Sequence, residues 1–139
     1  MKSKEKNNII FLRLYPEENI IQSLKEIAEK HSISTAIILS AVGQIKNPIL
    51  GYFKQKNDYS EQRFEGIYEL LTLSGNIITD NKTNHIHAHI TLGDKQKHTI
   101  GGHLINGTVS ITNEIALLKT NIETKRMISE KTGLAELYL

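Results

Sequence analysis

Apolar and polar residues alternate with a period of two along much of the chain, and one stretch follows the helical period instead. Residues 9–15, Ile-Ile-Phe-Leu-Arg-Leu-Tyr, are rich in strand formers and predict a first strand. Pro16 ends it and suits the first turn of a helix. Glu17 and Glu18 then fall where a helix dipole favours anions. Ile20, Ile21, Leu24, Ile27 and Ala28 recur at helical spacing, so residues 17–30 are expected to form an amphipathic helix with one buried stripe. His31 reads as a solvated residue at its end. Residues 35–42 are nearly all apolar, as in a strand covered on both faces, and Gly43 marks a bulge or a close backbone approach. Asn47-Pro48 punctuates, with the next strand over residues 49–53 and a polar surface loop over 54–63. Residues 64–79 are again strand-like, with a bend at Gly75. Asn106-Gly107 is a two-residue hairpin signal, which places a separate strand over residues 109–118. A Thr132-Gly133 turn should let Leu134, Leu137 and Leu139 pack back on the core. The expected class is α+β: a mostly antiparallel β-sheet with one long N-terminal helix and few other helices, in a single domain. Residues 1–8 are expected as a flexible, solvated tail and residues 9–139 as the domain.

Composition narrows this little. A chain of 139 residues suffices for one domain with its own core. Cysteine is absent, so disulfides and thiolate metal sites are excluded, and any metal must be held by His, Asp or Glu. A net charge of +2 does not by itself argue for nucleic acid. No leader-like segment opens the chain, and no apolar run approaches the ~20 residues of a membrane span. The expectation is therefore a cytoplasmic protein with no membrane partner. No tandem repeat, phosphate loop or dinucleotide fingerprint occurs. Ser40 and Ser74 lack the setting of an activated nucleophile.

The candidate chemistry lies in residues 85–108, which hold five of the six histidines: His85, His87, His89, His98 and His103. His85, His87 and His89 alternate with Ile86, Ala88 and Ile90, so the three imidazoles share one strand face. Asp94-Lys95-Gln96-Lys97 follows Gly93 and predicts a hairpin. If the reversal centres near Gln96, position 89 opposes position 103, and opposed residues point to the same face. His103 then joins His87 and His89, and His98 points away. A bulge at Gly101-Gly102 would break this parity. Neighbours about 6.6–6.8 Å apart along a strand and about 5 Å across a pair can converge on one ion. Three imidazoles with an open fourth position form a catalytic type of zinc shell, with His85 in reserve. Glu69 lies between Tyr68 and Leu70 in an apolar run, where a buried carboxylate needs a partner. It is either a fourth ligand or general acid–base, or a structural hydrogen-bonded residue. Glu114 reads as structural. The histidines themselves admit three readings: a metal-dependent enzyme, a structural metal site, or polar strand residues with no ion.

Four segments carry a resemblance: Ile-Leu-Ser-Ala-Val-Gly at residues 38–43, Tyr-Glu-Leu-Leu-Thr-Leu-Ser-Gly-Asn at 68–76, His-Ala-His-Ile-Thr-Leu-Gly at 87–93, and Gly-Gly-His-Leu at 101–104. In order and spacing the chain resembles the plants-and-prokaryotes conserved domain. The resemblance implies an α+β fold around an antiparallel sheet, a homotrimer, and a histidine-lined site that binds zinc in some prokaryotic members. The family's His-x-His falls on His87 and His89, and its Gly-Gly-His on His103; His85 lies outside the motif. The fold is also similar to that of acetolactate decarboxylases, which hold zinc with a His-x-His and a later His. The family is commonly described as DNA-binding, and its plant members carry an AT-hook. No Arg-Gly-Arg-Pro occurs here, so only weak, non-specific DNA contact through the Lys-rich N-terminal residues is expected. The expected function is a DNA-binding or regulatory trimeric module with a zinc site. The alternative is a zinc-dependent, lyase- or hydrolase-like enzyme acting on a small carbonyl or carboxylate molecule bound at the metal.

Overall fold

Alternation dictates the architecture. The computed structural model describes residues 1–139, and strands carry most of it. β2 (Ile9–Leu14) buries Ile10, Leu12 and Leu14 and turns Ile9, Phe11 and Arg13 outward, as a period of two requires. Before it, β1 (Lys2–Lys6) pairs antiparallel with β2. The Lys-rich end is thus not a free tail. Asn7 and Asn8 both adopt positive φ, 51° and 66°, the geometry of a tight hairpin turn that asparagine tolerates.

The helix is shorter than its apolar spacing suggests. α1 (Ile20–Lys30) begins three residues later than expected, after Asn19, whose side chain caps Gln22 N–H at 3.0 Å. Pro16 and the two glutamates belong to a turn: Glu17 has φ 71° and its N–H donates to the Val109 carbonyl at 3.0 Å. The buried stripe of Ile20, Leu24, Ile27 and Ala28 is as expected. His31 closes the helix and is tied down, with Ser3 Oγ and Glu5 Oε2 each 2.9 Å from its ring nitrogens.

Two long strands organise the sheet. β3 (Thr35–Gln55) runs straight through Asn47-Pro48, absorbing the proline at a register shift between Lys46 and Ile49. β7 (Thr99–Thr120) runs straight through Asn106-Gly107, where a hairpin is expected. Both flanks of that dipeptide are paired with β3, and a side chain at Gly107 would collide with Ile45. The glycine serves close packing rather than reversal. Gly43 likewise sits against the Thr112 carbonyl at φ 143°, the close approach expected there.

β5 (Ile67–Asp80) and β6 (Thr83–Gly93) complete the sheet, whose order is β1-β2-β7-β6-β5-β3 and then β4 (Asp58–Arg63). Because β3 also pairs with β7, strands β3, β5, β6 and β7 close into a ring. The ring and α1 enclose one core, with Ile45, Leu73, Ile77, Leu92 and Ile115 fully buried. The stretch expected as a polar loop forms β4 instead, paired with the end of β3. The C-terminal residues form a separate hairpin, β8 (Lys125–Ile128) with β9 (Ala135–Tyr138). Leu134, Leu137 and Leu139 stay exposed there rather than returning to the core. No helix is long and apolar enough to cross a membrane.

Candidate metal centre

The β6–β7 hairpin sets the site. Its turn, residues 94–98, is held by Asp94, whose carboxylate accepts from Gln96 N–H at 2.8 Å and His98 N–H at 2.9 Å. The register is Gly93 with Thr99, Ile90 with Gly102, and His89 with His103, with no shift at the glycine pair. The two-fold about Gln96 expected from sequence is therefore present. Ala88 and Ile90 are buried in the core, and His87 and His89 face the other way.

The three rings converge. Centroids lie 5.4 Å apart for His87–His89, 5.2 Å for His87–His103 and 5.4 Å for His89–His103. One ligand atom from each lies within 4.8 Å of the others. Zinc at about 2.0–2.1 Å from each nitrogen sets tetrahedral ligands about 3.3 Å apart, so modest χ rotations complete the shell. Burial pushes the His103 imidazole down to about 4, helped by the charges of His87 and His89. His87 is lowered by burial first, then by the charges of Arg126 and His89. Neutral imidazoles are the ligating form, so the residues present fit a divalent metal.

The other candidates separate cleanly. His85 lines the same cavity but lies outside the three-ring cluster. His98 is exposed in the turn beside Asp94, its ring nitrogen 3.3 Å from the carboxylate. Glu69 is exposed, not buried, and accepts from Gln44 Nε2 at 2.9 Å. Its register partner is Gly93, four residues from His89, or about 13 Å along the strand. That distance removes Glu69 from the shell and from acid–base work there. Glu114 is also exposed.

A cavity of about 940 Å³ opens in front of the histidines. Two of its residues come from segments where sequence reading placed no site. Tyr59 on β4 lies edge-on to His103, centroids 6.3 Å apart. It fits because its phenol occupies the space a side chain at Gly51 would need, and Gly51 is the register partner of His103. Burial, then Glu61, holds the Tyr59 phenol above its usual range, so it stays a hydrogen-bond donor. Arg126 on β8 reaches in from the C-terminal hairpin. Residues 58–63 are polar apart from Tyr59 and show no alternation, so the sequence carries no signal for it.

Known proteins resemble this chain to different depths. The chain is 32% identical over 132 residues to the bifunctional protein GlmU of a Synechococcus strain, covering 92% of this chain and spanning only 20% of that protein's length. A plant- and prokaryote-conserved protein of Pyrococcus horikoshii superposes with a TM-score of 0.82 at 28% identity, covering 99% of this chain and 96% of that one. A metal-containing protein of Archaeoglobus fulgidus gives 0.85 at 27% identity, covering 97% and 96%. The family model described as the Plants and Prokaryotes Conserved (PCC) domain matches residues 1–121. That span takes in the ring, the helix and all three clustered histidines, and on it the chain belongs to the PCC domain family.

Proposed function

We propose that this chain is a metal-binding PCC protein that holds zinc on His87, His89 and His103 and keeps a coordination position free for a small molecule in the cavity. The observation that carries this reading is the convergence of three imidazoles from two paired strands, their ligating atoms all within 4.8 Å. The metal-containing relative from Archaeoglobus fulgidus supports it. A zinc ion held this way polarises a bound oxygen or makes a water acidic. This chain's residues do the rest. The strand register orients the imidazoles, desolvation disfavours the protonated forms of His87 and His103, and Tyr59 offers a phenolic proton beside His103.

The test is metal content of purified single variants. His87→Ala, His89→Ala and His103→Ala should each lose the ion, whereas His98→Ala should keep about one equivalent per chain, as a single tetrahedral shell requires. Loss in His98→Ala with retention in His103→Ala would show that the hairpin register is not as described.

The assembly belongs to the same reading. Ile9, Phe11, Ile37 and Val42 are exposed at 40%, 65%, 43% and 54%. The pairings of β2 and β3 with β7 bring them to one outer sheet face. Such an apolar patch marks an interface, and a homotrimer is the form we propose. A second reading, association with DNA, draws on Lys2, Lys4 and Lys6, which alternate on the edge strand, with Arg13 opposite Lys2. This row offers phosphate contacts only.

A further inference from the structure

The charge around the cavity is unbalanced. Lys25 and Arg126 line it, and no aspartate or glutamate does. Neither cation forms an ion pair anywhere in the structure. A divalent metal on three neutral imidazoles would add two more positive charges that the protein leaves uncompensated. A cleft lined by charge of one sign favours a ligand of the other.

Arg126 is placed to receive that ligand. Its Nη2 donates to Asn76 Oδ1 at 2.5 Å and its Nη1 to the Ala135 carbonyl at 3.2 Å. Asn76 is the register partner of His87 across the β5–β6 ladder, so the guanidinium rests beside the first histidine. These two contacts fix the head and leave three of the five guanidinium protons for a ligand. The segment that delivers Arg126 lies beyond the residues matched by the family model, so the metal cluster and its cationic neighbour come from different parts of the chain.

We propose that the cavity takes a small oxyanion, a carboxylate or a phosphate, whose charge rests on Arg126 while a second oxygen occupies the free position on the metal. The inference rests on the metal reading given above. Arg126 is a specificity-determining residue on this account, not only a tie between the C-terminal hairpin and the sheet.

The experiment is calorimetric titration of metal-loaded and metal-free protein with glycolate, its neutral amide glycolamide, and inorganic phosphate, with metal content measured alongside. Wild-type protein should bind glycolate or phosphate and bind glycolamide about tenfold more weakly or worse, the scale of losing a charge-assisted contact. The better of the two anions identifies which oxyanion the cavity takes. Arg126→Gln should lose a similar factor with metal content unchanged. Glycolamide binding as tightly as glycolate would overturn the proposal in the wild-type protein, whether or not the variant folds. So would no anion binding at all, or equal affinity in a folded Arg126→Gln. A chain that takes up no metal yet binds an oxyanion through Arg126 would sink the metal reading and the metal contact proposed here, and leave only the Arg126 contact standing.

Discussion

Acid should loosen the metal-free protein in a window set by its histidines. In the folded chain burial holds His103 near 4, against 6.5 for an ordinary imidazole. Below 6.5 the unfolded chain takes up a proton that the folded chain refuses, so unfolding draws protons and stability falls as pH falls. The loss begins near 6.5 and is complete near 4, where both forms are protonated. At about 1.36 kcal/mol per pH unit the gap sets a ceiling of about 3 kcal/mol. The ring lines an open cavity, and solvent screening roughly halves that figure to about 1–2 kcal/mol. His87 is shifted the same way and adds to the slope. The carboxylates act elsewhere: Glu5, held below its usual 4.5 first by the hydrogen bond from His31, contributes only as pH drops further. Urea midpoints with a chelator present, from pH 7 down to 4.5, measure the effect, and His103→Asn should flatten the curve by about the stated amount. Equal loss between pH 6.5 and 4.5 in variant and wild type would refute the argument.

Two other outcomes are expected. Light scattering should give about three times the 15.7 kDa chain mass, and Phe11→Asp, placing a charge on the 65%-exposed outer position, should lower that mass; a wild-type monomer at micromolar concentration would dismiss the trimer. DNA binding should be weak and non-specific, and Lys2→Glu with Lys4→Glu should flatten the dependence of log affinity on log salt by about one unit per lysine; sequence-selective binding at physiological salt would contradict it.

The clustering of three histidines was legible in the sequence because it depends on two local facts, a period of two and a short turn. His87, His89 and His103 follow from these alone, and the observed register matches. Glu69 shows the same rule misapplied. Its apolar neighbours suggested burial, yet alternation sends Leu70 into the core and Glu69 out. Asn106-Gly107 and Asn47-Pro48 misled for a different reason. Both are strong turn signals, but pairing between β3 and β7 on either side outweighs a local preference. Tyr59 and Arg126 carried no signal, since only tertiary packing of β4 and the C-terminal hairpin brings them to the cavity.

The closed ring has a kinetic consequence. His87, His89 and His103 sit on one hairpin, whose formation takes microseconds and costs little loop entropy. Closing the ring requires β3 to find β7, joining residues as far apart as Ile45 and Val109, and such non-local pairing is slow. The three imidazoles therefore come together early in folding. The parts of the cavity wall that need β3 with β4, or docking of the C-terminal hairpin against β5, follow later, so the three imidazoles should be in place before the cavity around them is complete.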